Sequence, residues 1–219
     1  MTAQADTIQS RKPFLADQIY SAFLGCAIGE SMGLEADMDM LHSAYSNGCW
    51  GESTSLILAT ADSIAEVGRI DYSNIMEKFL QYLQEMKYTS SGTLCNTSII
   101  SRCSILRYQN GESPLFCGAY GENTNGNAAL VRILPASIYA YVQEMPFQDR
   151  ITEINNFAFL THGHEISQLG CNILTDYICF LLNGLSKTDA IQKLQELPYD
   201  HYFTDESLTK YKHILTGEI

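Results

Sequence analysis

Three features of the chain predict an all-α fold, a compact single-domain helical bundle. Apolar residues return at helical spacing in segment after segment, start and stop signals bracket those segments, and no stretch sustains the alternation of a strand. No internal repeat or low-complexity linker divides the 219 residues, a length suited to one domain with a substantial core.

Residues 1–12 are polar and aperiodic and are expected to form a loose arm, with the helical domain spanning 13–219. Pro13 suits a first helical turn, Phe14, Leu15, Ile19, Phe23, Leu24 and Ala27 recur at helical spacing, and the glycines around Glu30 predict an end near Gly29. The stretch 34–49 lacks periodicity and reads as loop. A second helix is expected from about Thr54 to Val67, stopped by Gly68; a third is capped by Asp71 and turns Ile75, Phe79, Tyr82, Leu83 and Met86 to one side. The fourth, from Thr97 to Tyr108, is expected to pack Ile99, Ile100, Cys103 and Leu106 and to stop at Asn110-Gly111. Glycines and a proline make 113–127 a loop, from which a helix over 128–143 begins, kinked or broken at Pro135. Helices near 149–159, 165–183 and 188–197 complete the pattern, with Asn183-Gly184 as a stop.

Composition narrows the function classes. Hydrophobic residues make up 46% of the chain, which excludes global disorder. A net charge of -12 with only 13 basic residues argues against nucleic acid or an anionic membrane as the main partner and favours cations or a basic protein. No apolar run reaches membrane-spanning length. Seven cysteines, an odd number without metal-type spacing, and the lack of a signal-like opening suggest reduced thiols and a cytoplasmic setting. Cys26, Cys171 and Cys179 sit in apolar surroundings and read as core residues.

The chemistry-bearing residues gather around Gly48-Cys49-Trp50-Gly51-Glu52-Ser53-Thr54-Ser55, a glycine-flanked loop that runs into an apolar helix. Acidic and hydroxyl side chains at a helix start are stabilising in themselves, because unpaired N–H groups and the positive dipole end lie there. Companion segments are Gly29-Glu30-Ser31-Met32-Gly33 with Asp37 four residues beyond, Gly126-Asn127-Ala128-Ala129-Leu130-Val131-Arg132, and Thr161-His162-Gly163-His164. Neither Ser53 nor Ser55 sits in a nucleophile elbow, and His162 and His164 lack further ligands at zinc spacing.

In this order the segments resemble the ADP-ribosylglycohydrolase family, all-helical dimagnesium enzymes that remove ADP-ribose from proteins. The resemblance runs roughly from Pro13 to Gly184. It implies metal ligands at Glu30, Asp37 and Glu52, with Asp37 and Glu52 catalytic if the reaction is retained, and contacts to ADP-ribose from Gly126, Asn127, Ala128, Arg132 and His162. His164 is expected to cap a helix or face solvent. The family motifs are altered here: Glu30 stands for Asp, Gly51 for a hydroxyl residue, Ser53 for Asp and Ala128 for Gly. The late Asp-x-Asp-Thr motif is not found after His164. Hard dications need several converging carboxylates, so the expectation is a shortened, catalytically impaired protein that binds ADP-ribose, an ADP-ribosylated protein or an ADP-ribosyltransferase. The alternative is a magnesium-dependent hydrolase using Asp37 and Glu52. If the family's closing helices are missing, the region from Tyr199 to Tyr211 is expected to offer an exposed apolar contact surface.

Overall fold

The computed structural model describes residues 15–37 and 48–217, with the side chains of 35–37 excepted. The expected arm at 1–12 lies outside the described residues, as does the middle of the 34–49 loop. Eleven α-helices follow one another among the described residues: α1 Leu15–Asp37, α2 Glu52–Val67, α3 Tyr72–Glu85, α4 Ile99–Gln109, α5 Ala128–Val131, α6 Leu134–Val142, α7 Phe147–Phe159, α8 Glu165–Leu182, α9 Lys187–Leu194, α10 Asp205–Lys210 and α11 Lys212–Leu215. The fold is all-α; a single isolated bridge between Ala119 and His162 is the extent of β pairing among those residues.

Local signals explain most boundaries. Asp71 accepts a hydrogen bond from Asn74 N and starts α3, and Gly68 ends α2 in the left-handed region at φ 76°. Pro135 lies in the first turn of α6, where its missing N–H costs nothing, and the expected break falls at Arg132-Ile133. α1 does not stop near Gly29 but continues to Asp37. A glycine inside a helix costs about 1 kcal/mol against alanine without forcing an end.

The main core joins Leu56 and Ala59 of α2 to Ile75, Met76, Phe79 and Tyr82 of α3, and to Ile154 and Phe157 of α7. α8 is the central post, packed against α5, α6, α7, α9 and α10. α4 presents a different face from the one expected: Ile99 is 79% exposed and Cys103 is exposed, whereas Ser101, Ser104 and Ile105 point inward. The Ser104 hydroxyl donates to Thr161 O at 3.2 Å, so this face packs through small hydroxyls, which an apolar periodicity does not register.

A second core lies beyond α8, where Ile151, Leu169 and Ile173 meet Leu194, Tyr199 and Phe203. The aromatic run near the end is therefore mostly interior, with Tyr199 and Phe203 buried and Tyr202 left at 38% exposure. Arg150 of α7 pairs with the buried Asp176 of α8 at 2.5 Å, and the Tyr199 hydroxyl donates to the same carboxylate at 2.6 Å. Removing the acid strands a half-buried guanidinium and a buried phenol. Asp176→Ala is therefore expected to cost about 3 kcal/mol in urea unfolding, while Glu196→Ala, which breaks only the exposed Lys193 pair, stays below about 0.5 kcal/mol.

Candidate functional site

α2 begins inside the protein. The loop before it is pinned to the α3–α4 connection: Trp50 Nε1 donates to Tyr88 O and Trp50 N to Ser90 Oγ, both at 3.0 Å. Gly51, the N-cap, supplies no side-chain acceptor, and the acceptor comes instead from α1. Glu30 Oε1 takes the Ser53 N–H at 3.0 Å and Oε2 takes the Thr54 N–H at 2.8 Å. A carboxylate on two first-turn amides meets both their unpaired donors and the positive end of the dipole. A Cβ at residue 51 would lie 3.0 Å from Glu30 Oε1 and 3.2 Å from Cys95 O. The longer acid at 30 and the missing side chain at 51 are thus one arrangement.

Glu52 is 5% exposed. Its Oε2 accepts from Ser98 N at the start of α4, while Oε1 has no well-formed hydrogen bond. Burial pushes its carboxyl above the ordinary value of 4.5, against the pull of the Ser101 hydroxyl, the Ser98 amide and the Arg132 charge. Two groups missed from the sequence meet here. Ser98 is the N-cap of α4, readable in principle from its residue type, and Asn96 sits in the left-handed region at φ 51°, which asparagine tolerates better than most residues.

Behind Glu52 stands Arg132, fully buried at the break between α5 and α6. Its guanidinium lies 5.5 Å from the Phe79 ring and 4.6 Å from the Phe157 ring, and Nη2 donates to Phe157 O at 3.2 Å and Thr161 Oγ1 at 2.7 Å. Burial lowers its pKa to about 10, with Cys171 and Glu52 acting in the other direction. Thr161 Oγ1 also meets His162 Nδ1 at 2.8 Å. Arg132 can only donate, so Thr161 Oγ1 accepts from it and keeps both its hydrogen and a second lone pair for Nδ1, in either tautomer of His162. The other ring nitrogen, Nε2, is buried, unpartnered and 3.7 Å from where a Cβ on Gly126 would be. His162 is placed by the bridge to Ala119, which needs Gly118: a Cβ there would lie 2.3 Å from Phe159 O.

A groove of about 970 Å³ runs between α1, the start of α2, α5 and α6. Of the residues singled out in the sequence, Glu30, Glu52, Asn127 and Ala128 line it. Gly126, Arg132 and His162 do not line it; Arg132 and His162 are buried behind its wall. The Asp37 side chain lies outside the described residues. His164 is the N-cap of α8, its Nδ1 accepting from Ile166 N at 3.3 Å. The glycine loop is anchored from Ser167, whose hydroxyl donates to Asn125 Oδ1 at 2.9 Å. Glu30 and Glu52 are the only charged residues along the groove among the described residues, and no group of three or more His, Cys, Asp or Glu is placed to hold a metal there.

Two measurements check this geometry. Gly51→Ala displaces the Glu30 cap and is expected to cost about 1 to 2 kcal/mol, and much less when Glu30 is already alanine, in a double-mutant cycle read by urea unfolding. Burial first, then repulsion by Arg132, holds the His162 pKa down from 6.5 to about 4. The unfolded chain therefore binds the proton more tightly, and stability falls as pH drops from about 6.5 to about 4. The full effect is on the order of 3 kcal/mol, flattened in His162→Asn when unfolding is followed against pH.

Comparison with known proteins relates the chain to a family. A model described as ADP-ribosylglycohydrolase matches residues 11–217. The chain is 26% identical over 186 residues to ADP-ribosylarginine hydrolase Tri1 of Serratia proteamaculans (strain 568), covering 80% of this chain and 50% of that one. It is 24% identical over 206 residues to ADP-ribosyl-[dinitrogen reductase] glycohydrolase of Rhodospirillum rubrum, covering 86% of this chain and 66% of that one. A solved chain titled "ADP-ribosylglycohydrolase-related protein complex" superposes with a TM-score of 0.68 at 22% identity, over 93% of this chain and 68% of its own length, which shows the shared fold. The chain thus spans between half and two thirds of the curated relatives it matches. With the model matched along almost the whole sequence, the chain belongs to the ADP-ribosylglycohydrolase family.

Proposed function

We propose that this chain binds ADP-ribose, free or attached to a protein, in the groove at the start of α2 and turns it over poorly or not at all. One observation carries the reading: both described carboxylates at the groove are already engaged with backbone N–H groups, Glu30 with Ser53 and Thr54, Glu52 with Ser98. The described donors alone are too few for the pair of magnesium ions that the family resemblance implies. Two dications close together need several carboxylates free to converge, and the neighbouring positions carry Gly51, which has no oxygen, and Ser53, which is neutral.

Binding makes smaller demands. Asn127 and Ala128 border the groove where α5 begins, and His162 Nε2 lies unpartnered under the same loop. Both curated relatives bear names of hydrolases acting on ADP-ribosyl groups, which supports the ligand class. A partner of the ADP-ribosyltransferase type belongs to the same reading. The competing reading is a magnesium-dependent hydrolase built on Glu52 and Asp37, favoured by the one Glu52 oxygen that lacks a well-formed bond.

Calorimetry and a turnover assay decide between them. ADP-ribose is expected to bind with or without magnesium, ADP-ribosyl-arginine to be released no faster with the chain than without it, and Asn127→Ala to weaken binding about tenfold. Magnesium-dependent release abolished by Glu52→Gln establishes the hydrolase instead. Absence of heat with ADP-ribose at millimolar concentration removes the binding reading. Independently of ligand, Glu52→Gln is expected to remove the fall in stability that Glu52 causes as pH rises above about 4.5, read by urea unfolding against pH. A carboxyl whose pKa is raised by burial loses stability as pH climbs from 4.5 through its folded value, and the amide does not titrate.

A further inference from the structure

We propose that the open side of α1, together with the groove beside it, is a docking site for an α-helix of a partner protein, one with an apolar face and a lysine or arginine that reaches Glu52. The inference goes beyond nucleotide binding and places a second kind of occupant at the same groove, tested below without nucleotide.

Tyr20, Leu24, Ile28 and Met32 recur every fourth residue and are 70%, 46%, 50% and 65% exposed. On a 3.6-residue helix they form one ridge, about 18 Å long. Beside it run Gly25, Gly29 and Gly33, again four apart, and a methyl group built on any of them meets nothing within 4 Å. These three glycines form the rim of the groove, whose floor is largely apolar, with Leu56, Ile57, Leu130, Val131 and Leu134. A ridge next to a stripe without side chains lets a second helix settle at the short end of the usual 8–10 Å interaxial distance. Helix-in-groove recognition uses anchors of this spacing.

The second observation names the charge of the occupant. Glu52 is more than nine-tenths buried at the groove, and its Oε1 lacks a well-formed hydrogen bond. Glu30 lies on the same wall, and the groove has no Lys or Arg among its described lining residues. α1 itself contains no basic residue, and the chain carries a net charge of -12. A second copy of this acidic chain is disfavoured by charge, whereas a basic amphipathic helix satisfies the apolar rim and the underbonded carboxylate together.

The test uses two fluorescein-labelled helical peptides of about 18 residues, long enough to hold a helix. They share a leucine-alanine face and carry either lysines or glutamates on the other. Anisotropy is read at about 0.15 M salt, where diffuse surface attraction is screened, and without nucleotide. The lysine peptide is expected to bind about tenfold more tightly than the glutamate peptide. Gly29→Leu, which improves helix propensity while filling the rim, should weaken it about tenfold. Glu52→Gln should narrow the preference between peptides. Equal binding of the two peptides, or lysine-peptide binding indifferent to both substitutions, overturns the proposal. So does a wild-type dimer in sedimentation that Ile28→Glu converts to monomer, since the occupant is then a second copy.

Discussion

The arrangement around Arg132 is the constraint on which the site depends. A guanidinium shut away from water is tolerable only if its surroundings compensate its charge. Here the compensation is diffuse: two aromatic faces, one carbonyl, one hydroxyl, and the Glu52 carboxylate near enough to raise its pKa without forming a direct pair. The contacts come from Phe79 of α3, from Phe157 of α7 with both its ring and its carbonyl, and from Thr161, so the residue at the α5–α6 break ties α3, α7 and the bend at Thr161 to one point. The same charge discourages protonation of His162 and favours the ionised form of Glu52. Substituting Arg132 would therefore disturb core packing and the charge state of the site together.

A second dependency couples α1 to α2. Helix starts in a protein interior need an acceptor for their first amides, and α2 takes it from a residue more than twenty positions away. The reach of glutamate and the empty Cβ position at Gly51 belong to the same solution. What reads in the sequence as two separate departures from the family motif reads in three dimensions as a single capping arrangement.

Features whose cause is local were legible in the sequence, and features whose cause is a distant contact were not. Asp71, Gly68, Pro135 and Asn183-Gly184 act within a turn of themselves, and the boundaries they predict stand within a few residues. The amphipathic α3 also stands, because its apolar face is what the core requires, except at Met86, which ends the helix at φ 57° and is 40% exposed. α4 misled because its inward face carries Ser101 and Ser104 while Ile99 faces out, so apolarity and burial part company. At the site, the identity of Glu30 and Glu52 as notable acids could be read from motif context. Their partners could not, since Ser53 and Thr54 are met across helices and Ser98 comes 46 residues later. The placement of Arg132 and His162 behind the wall, not on it, follows from tertiary packing and from the bridge at Ala119, neither of which has a periodic signature.

The charge arithmetic at the groove separates the kinds of cation it can accept. A magnesium ion holds its waters tightly and yields them to several anionic oxygens in octahedral array, so a pair of such ions demands more than the two described carboxylates at the groove, Glu52 and an engaged Glu30. A guanidinium or ammonium group carries a single charge, brings its own N–H donors, and is satisfied by one or two acceptors already fixed in place. Glu52 offers such an acceptor in Oε1, buried enough that its interaction with a cation is little screened; burial raises its pKa, and a cation placed there acts with Arg132 to favour the ionised form. The apolar walls from Leu56 to Leu134 add to this preference, because they suit a side chain with a hydrocarbon stem and give nothing to a hydrated dication.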